Sequence, residues 1–203
     1  MTVKNLLSHT SGLGFYWDYP TDEISSDLDS LYETIKKRDS KPKEQNIFNY
    51  SNNGYIVLGK IIQNVSSLSY KEYLTKNLIN PLKMFDTEQG LPDGGGFKST
   101  VDDLLKFSKA LRNNFLIRKE VLAVMRTKQS DANYGLGFML NPKEKVKKFG
   151  HTGGFSSDDS GLGIASAINI INDRYTVIIL TNRNPSMGGA KVLSFIINHL
   201  QKK

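Results

Sequence analysis

The pattern of apolar residues changes partway along the chain, and this change restricts the fold more than any other feature. Up to about residue 130, apolar residues recur at three- and four-residue intervals, which is the period of an α-helix. Four later stretches are rich in β-branched or aromatic residues and are separated by turn-forming residues, which is typical of strands. The predicted strands are Tyr134 to Leu140, Val146 to Phe149, Leu162 to Ile171 and Tyr175 to Thr181. A final helical stripe runs from Ala190 to Leu200.

This order of elements predicts one α+β domain over residues 1–203. We expect a mainly helical lobe at 1–130 and antiparallel strands plus a C-terminal helix at 131–203. Domains usually run to ~100–200 residues, so this length suits a single folding unit built from two lobes. Hydrophobic residues at 38% and charged residues at 23% are ordinary for a globular protein, so a packed core is expected.

Small polar residues mark the starts of the predicted helices, because their side chains can cap the free N–H groups there. Ser69 lies three residues before Glu72, which is the spacing of a capping box, and Pro81 is expected to end the helix that follows. Asn172-Asp173 predicts a tight hairpin between the last two strands. The predicted capping residues are Thr2, Ser51 or Asn52, Ser69, and Ser99 or Thr100. One further helix carries its apolar residues at Ile24, Leu28, Leu31 and Ile35.

Composition removes several kinds of chemistry. The absence of Cys excludes disulfides, thiolate metal sites and a cysteine nucleophile. His9, His151 and His199 stand far apart in the sequence and belong to no spaced ligand motif, so neither a metal nor a cofactor is expected. The net charge of +7 comes from dispersed lysines, and the densest cluster, Lys143 to Lys148, lies in a hairpin-like stretch, so nucleic acid is not an expected partner. No apolar run approaches the ~20 residues of a membrane span, and Met1 to Lys4 does not begin a signal peptide.

Two short motifs can carry chemistry, although each alone has an ordinary structural interpretation. Tyr50-Ser51-Asn52 at a helix entrance places a phenol near a carboxamide. The phenol can move protons if its pKa is depressed, and the amide can orient a polar substrate. Gly150-His151-Thr152-Gly153-Gly154 is expected to follow a short strand. Its glycines let a substrate approach the main chain, whose N–H groups can bind a developing oxyanion. A helix cap and a turn histidine are the structural alternatives.

Six motifs, taken together and in order, resemble the class C β-lactamase-like family of serine β-lactamases and penicillin-binding proteins. The resemblance covers nearly the whole chain, and motifs in the right order are far more specific than any one of them. The motifs are Leu6-Leu7-Ser8-His9-Thr10-Ser11-Gly12-Leu13, Tyr50-Ser51-Asn52-Asn53-Gly54-Tyr55, Pro81-Leu82-Lys83-Met84-Phe85-Asp86-Thr87, Gly95-Gly96-Phe97-Lys98-Ser99-Thr100-Val101-Asp102-Asp103-Leu104, Tyr134-Gly135-Leu136-Gly137-Phe138 and Gly150-His151-Thr152-Gly153-Gly154.

The resemblance implies a β-lactamase/transpeptidase-like fold and a role for each matching residue. Tyr50 would take part in proton transfer to and from the nucleophile, and Asn52 would bind the substrate amide. The family's Lys-Thr-Gly strand motif is replaced by His151-Thr152-Gly153, of which the threonine and glycine would bind substrate, and the N–H of Gly154 matches the oxyanion donor. Histidine weakens a fixed positive charge near neutral pH, because imidazole titrates at ~6.5 and lysine at ~10.4. Recognition of a β-lactam or peptide carboxylate is therefore not implied by this strand.

The family's nucleophile lies in a Ser-x-x-Lys motif, in which one helical turn places the lysine amine beside the serine hydroxyl. In relatives this motif precedes the Leu6 to Leu13 segment by a few tens of residues, so here it would fall before Met1. The single match in the chain, Ser40-Lys41-Pro42-Lys43, lies in a basic loop, and we interpret it as a decoy. We therefore expect a truncated form without the N-terminal helix and first strands, from a parent that is extracytoplasmic or at a bacterial cell surface, as many relatives are.

Three functions from different classes remain open. The first is part of a serine hydrolase that works through an acyl-enzyme on a β-lactam, a D-amino-acid peptide or an ester, with this chain inactive alone. The second is a non-catalytic module that uses the same cleft to hold peptidoglycan-type peptides or a protein partner. The third is a generic basic interaction domain, which would bind anionic polymers in a salt-dependent way. Because the missing strands would expose the edge of Tyr175 to Thr181, self-association is also expected.

Overall fold

The computed structural model describes residues 1–15, 18–20, 27–38, 44–89, 96–141, 146–156, 163–183 and 187–201. Its helices and antiparallel sheets confirm the predicted α+β class. The chain divides into two compact units. The first unit comprises Met1–Ser99 with Lys128–Ala132, and the second comprises Thr100–Thr127 with Asn133–Lys203.

The first unit is mainly helical, and three of its helices begin at the predicted caps. The Thr2 and Ser51 side chains accept from the main-chain N–H groups of Asn5 and Gly54, and Ser69 forms the expected capping box with Glu72. The helices are α1 (Val3–Leu7), α2 (Leu28–Arg38), α3 (Asn52–Ser66), α4 (Tyr70–Leu74) and α5 (Asn80–Leu82), with a π-helical turn at Thr75–Ile79 between the last two. Strands β1 (Glu88–Gln89) and β2 (Phe97–Lys98) form a small antiparallel sheet.

The core of the first unit lies between α2 and α3. Leu31 and Ile35 on α2 and Ile56 on α3 are fully buried, and Tyr19, Leu28 and Tyr32 pack around them. The predicted stripe therefore does bury its apolar residues, while Ile24, its first member, lies outside the described residues. This packing fixes α3, and with α3 it fixes the Tyr50-Ser51-Asn52 entrance.

The second unit consists of two helices, a four-stranded sheet and a C-terminal helix. Its first helix begins after Thr100, whose side chain accepts from the N–H of Asp103, so Thr100 is the cap. The elements are α6 (Val101–Arg112), α7 (Lys119–Met125), β3 (Met139–Leu140), β4 (Lys148–Ser156), β5 (Gly163–Ile171), β6 (Tyr175–Thr181) and α8 (Met187–Gln201). Its core cluster joins both helices to the sheet through Leu111, Leu122, Phe149 and Ile170.

The sheet is antiparallel with the strand order β3-β4-β5-β6. Strands β5 and β6 are joined by the predicted tight turn, in which Asn172 and Asp173 both adopt positive φ, at 51° and 52°. Asparagine and aspartate tolerate this left-handed conformation better than most residues, and it matches the twist of a two-residue hairpin. No described strand pairs with the outer side of β6.

Two predicted strand boundaries are wrong. Of the segment Tyr134 to Leu140, only Met139–Leu140 is a strand, because Gly137 (φ 80°) bends the chain into a tight turn that Gly135 N–H closes on the Phe138 carbonyl at 2.8 Å. The glycine motif, expected to follow a short strand, instead lies inside β4. There β5 pairs with every residue of β4, which supplies the partners that its glycines need to stay extended.

The C-terminal helix α8 carries apolar side chains that are not fully covered. Leu193, Ile196, Ile197 and Leu200 are only half-buried. Val192 and Phe195 are 50% and 72% exposed. Within the described ranges, no helix is long and apolar enough to cross a membrane.

Candidate active site

The entrance to α3 is held by Ser51, which is fully buried. Its hydroxyl accepts from the N–H of Gly54 at 3.1 Å and donates to the carbonyl of Gly14 at 2.8 Å. The same side chain therefore caps the helix and ties it to the loop after α1. Tyr50 and Asn52 flank this anchor and are both half-buried, so their positions follow from it.

A buried histidine, which could not be recognised as part of the site from the sequence, supports the entrance to α3. The His9 ring lies against the Tyr50 ring with centroids 4.0 Å apart, and the Ser51 N–H donates to His9 Nδ1 at 3.1 Å. An accepting Nδ1 carries no proton, so the imidazole is neutral here with its hydrogen on Nε2. His9 is 1% exposed and has φ of 56°, an unusual conformation for a side chain of this size. The signal available in the sequence was its place in the Ser8 to Gly12 motif.

The loop carrying His9 is itself fixed to the segment before α3. The N–H groups of Asn46 and Asn49 donate to the carbonyls of Thr10 and His9 at 2.9 and 2.8 Å, and the Tyr55 hydroxyl donates to the carbonyl of Leu7 at 3.0 Å. These bonds join residues more than thirty positions apart. The Tyr50 ring is therefore packed against a rigid wall rather than a mobile loop.

The pKa of Tyr50 is raised, because burial disfavours the charged phenolate. The sequence predicted that this phenol can move protons if its pKa is depressed. In the first unit by itself that condition is not met, so Tyr50 is a neutral phenol at neutral pH. A neighbouring cation would lower its pKa, as opposite charges do for any acid.

In the second unit, hydrogen bonds at the start of β4 determine which way its main-chain groups face. The Lys147 carbonyl accepts from Asn172 N–H on the β5 side at 2.8 Å, and the Lys148 carbonyl accepts from Asn141 N–H on the β3 side at 3.0 Å. Main-chain groups alternate in direction along a strand, so the even-numbered residues of β4 face the β3 side. Among the described residues, the register with β3 pairs Phe149 and Gly150 of β4 with Leu140 and Met139.

Beyond Gly150, no described strand covers this edge of β4. The main-chain groups of Thr152 and Gly154 face that edge, and both residues are exposed, as is Gly153 between them. An outward N–H on a rigid strand is the kind of donor that stabilises an oxyanion without reorganising. The predicted residues Thr152 and Gly154 thus present their main-chain groups at this edge, and the exposed Gly153 between them pairs with Ser166 of β5.

His151 is half-buried beside this edge. Its Nε2 lies 3.0 Å from the Tyr134 hydroxyl, and its Nδ1 lies 2.6 Å from the Thr152 carbonyl. The pKa of His151 is lowered chiefly by burial, while the bond to the Thr152 carbonyl acts in the opposite direction. Tyr134 was named in the sequence only as part of a motif, and its contact with His151 is a second feature that was missed.

The serines of the Leu6 to Leu13 motif are not placed to act as a nucleophile. Ser8 and Ser11 are 1% exposed, and the Ser8 hydroxyl donates to the Lys4 carbonyl at 2.8 Å. Ser40 lies outside the described residues. Nor do the described residues contain a group of His, Asp or Glu side chains that could hold a metal ion.

Comparison with known proteins places the chain in a family. Residues 1–201 match the protein family described as Beta-lactamase. Protein flp of Staphylococcus aureus is 30% identical over 157 residues, which are 72% of this chain and 30% of that protein. The octameric penicillin-binding protein homologue from Pyrococcus abyssi matches 98% of this chain and 56% of its own, with a TM-score of 0.78 and 24% identity. D-amino acid amidase from Ochrobactrum anthropi matches 98% of this chain and 78% of its own, with a TM-score of 0.73 and 22% identity.

The chain belongs to the beta-lactamase family, as its ordered motifs predicted. The fold likeness extends to penicillin-binding-protein and amidase structures. The chain spans about 30% of the length of the staphylococcal relative and 56% of the Pyrococcus abyssi structure.

Proposed function

We propose that this chain is the C-terminal portion of a serine hydrolase that acts through an acyl-enzyme on a β-lactam, a D-amino-acid peptide or an ester. The observation that carries the proposal is the uncovered edge of β4, where Gly154 turns its N–H outwards. In acyl transfer, such a donor stabilises the oxyanion of the tetrahedral intermediate. The amidase and penicillin-binding names among the structural relatives support this substrate range.

The roles of the other residues follow from their positions in each unit. Asn52 is half-buried at the start of α3, where its carboxamide can hold a substrate amide. Thr152 faces the edge along which an acyl chain would lie, and Gly153, which has no side chain, leaves room for that chain. Tyr50, a neutral phenol against the His9 ring, is suited to donate a proton to a leaving group and would need a nearby cation to act as a base.

We place the nucleophile outside this chain. Ser40-Lys41-Pro42-Lys43 is the single Ser-x-x-Lys run in the sequence, and its proline lies between the two reactive residues. This run lies in the basic, proline-containing stretch before Tyr50, whereas the Ser-x-x-Lys motif of relatives precedes the Leu6 to Leu13 segment, so we do not assign the nucleophile to Ser40. This chain alone is then inactive, and its contribution to the reaction is the proton-transfer phenol, the amide ligand and the oxyanion edge.

Covalent labelling tests the placement of the nucleophile. The folded chain is incubated with a reporter penicillin and, separately, with a fluorophosphonate, and intact mass and peptide mapping locate any adduct. We expect none. A Ser40→Ala variant is the matched control, because an adduct that disappears in this variant would identify Ser40 as the nucleophile and overturn the placement. An adduct at any other single serine would overturn it equally.

A non-catalytic binding module is the second candidate, and the raised pKa of Tyr50 favours it, since a phenol without an activating cation is a poor base. This candidate predicts saturable binding of a peptidoglycan-type peptide. It also predicts no turnover after the segments that relatives carry outside the matched region are supplied. Turnover by such a longer protein would show that it is a hydrolase and would contradict the binding-module candidate.

We also infer that the chain associates with itself through β6. This strand has an outer side that no described strand pairs with, and Leu180 near its end is 39% exposed. Unpaired strand edges with apolar side chains favour pairing with another chain.

A further inference from the structure

The two ring nitrogens of His151 are both engaged within the second unit. The Thr152 carbonyl can only accept a hydrogen bond, so the 2.6 Å contact requires that Nδ1 carries the hydrogen and donates it. A neutral imidazole with hydrogen on Nδ1 has a bare Nε2, which must accept from the Tyr134 hydroxyl at 3.0 Å. Because burial lowers the pKa of His151, the ring is neutral at pH 7.5, and both of its nitrogens are then engaged, so it has no spare N–H to offer to a ligand.

Tyr134 holds its place because the turn around it is rigid. It is 3% exposed and forms an isolated bridge with Met139, and the next residue, Gly135, is so close to the Met125 carbonyl that a Cβ there would lie 2.1 Å from that oxygen. The N–H of Leu136 donates to the same carbonyl at 2.8 Å. The Tyr134 side chain is thus held in place, and its hydroxyl is the donor to Nε2 when the His151 ring is neutral.

We propose that Tyr134 and His151 make this end of β4 selective for substrates with an uncharged amide or ester at the position next to His151, over substrates with a free carboxylate there. The inference rests on the proposed function, because it assumes that the substrate lies along the edge from Thr152 to Gly154. A carboxylate at this edge finds no positive charge on His151. It could accept a hydrogen bond from the ring only if the ring gave up its bond to the Thr152 carbonyl or to the Tyr134 hydroxyl. An uncharged amide or ester costs less to remove from water than a carboxylate does, and it needs no opposite charge beside it.

The burial of His151 acts in the same direction. It lowers the pKa of the imidazole, so the ring stays neutral at pH 7.5. Tyr134 is thereby a positioning residue, which acts through His151 rather than on a substrate.

The test compares two ligands that differ only in this group, N-acetyl-D-alaninamide and N-acetyl-D-alanine. Binding at pH 7.5 is measured from the NMR shifts of the Thr152 and Gly154 amides in the wild-type chain and in His151→Lys. We expect the wild type to bind the amide severalfold more tightly. His151→Lys should strengthen binding of the acid by about tenfold, the size expected for a new charge-assisted hydrogen bond.

Tyr134→Phe is the second variant, since it removes only the hydroxyl and keeps the ring. It releases Nε2, so the imidazole can turn and donate, and the preference for the amide should fall towards equality. Imidazole ¹⁵N shifts of the wild type give a readout that a purely structural role would not produce. They should show hydrogen on Nδ1 and a bare Nε2.

The outcomes separate this inference from the proposed function. If neither ligand shifts the Thr152 and Gly154 amides in any variant, the proposed substrate edge is wrong and the inference falls with it. If both ligands bind the wild type equally, or if His151→Lys leaves the ratio unchanged, the edge stands and the assignment to His151 is overturned. A wild-type ring protonated on Nε2 would overturn it without any variant.

Discussion

Replacing Gly150 by alanine should destabilise the second unit far more than the same change at Gly153, although both glycines lie in β4 and in one motif. A Cβ built on Gly150 would lie 2.0 Å from the main-chain oxygen of Ile168 and 2.8 Å from the Cα of Asn169. A Cβ on Gly153 would meet only the Ser166 hydroxyl at 2.9 Å, and that side chain can rotate. The backbone of β5 cannot give way so easily.

The size of the effect follows from the distance that β5 must move. Ordinary contact with a Cβ begins at 3.4 Å, so the Ile168 carbonyl must retreat by the difference from 2.0 Å, which is 1.4 Å. A ladder hydrogen bond of about 2.9 Å would then stretch to about 4.3 Å and be lost. Losing about two such bonds at ~1 kcal/mol each, with an overpacking cost of ~1–3 kcal/mol, gives about 3–5 kcal/mol. That is a large part of the ~5–15 kcal/mol by which domains are stable.

The measurement is urea unfolding followed by circular dichroism, with amide hydrogen exchange in β4 and β5 to localise the loss. Gly153→Ala is the matched control and should change the free energy of unfolding by less than about 1 kcal/mol, since alanine also restricts the unfolded chain. Equal effects of the two substitutions, or a Gly150→Ala variant within about 1 kcal/mol of wild type, would refute the reasoning from the close approach of β4 and β5.

Two further predictions concern pH and association. Because the folded-state pKa of His151 is depressed, the unfolded chain takes up its proton first, so stability present above pH ~6.5 is lost as the pH falls through the folded pKa. The urea midpoint should therefore fall less between pH 8 and pH 5 in His151→Gln than in the wild type. Equal falls of the midpoint in the two proteins would contradict this. Light scattering should show the wild type associated at micromolar concentration and Leu180→Lys less so, because a charge on an edge strand opposes pairing. Ile164→Lys, on the inner strand β5, is the control, and a monomeric wild type would contradict the β6 interface.

Features that depend on a few neighbouring residues could be predicted from the sequence. Ser51 and Ser69 cap their helices through N–H groups three residues away, and Asn172-Asp173 turns the chain between adjacent strands. The order of the motifs was sufficient to identify the family. Each of these signals is local or a linear succession, so no knowledge of long-range packing was needed.

The extent of β4 was misjudged because the motif from Gly150 to Gly154 resembles a loop when its neighbours are unknown. Nine residues of β5 pair with β4 and hold it extended. The partner of Gly154, for example, is Ala165, which belongs to the next strand and is not a near neighbour in the sequence. In the segment from Tyr134 to Leu140 the predicted strand was longer than the observed one. Its composition favours a strand, but the backbone at Gly137 turns it back on itself.

The sequence by itself determined the fold class, the helix entrance with Tyr50 and Asn52, and the motif that presents Gly154. Only the tertiary structure decided the tautomers and charges of His9 and His151. His9 accepts from a residue 42 positions away, and His151 is held by a tyrosine 17 positions before it. An imidazole takes its tautomer and charge from the groups that surround it, and folding brings those groups together from distant parts of the chain.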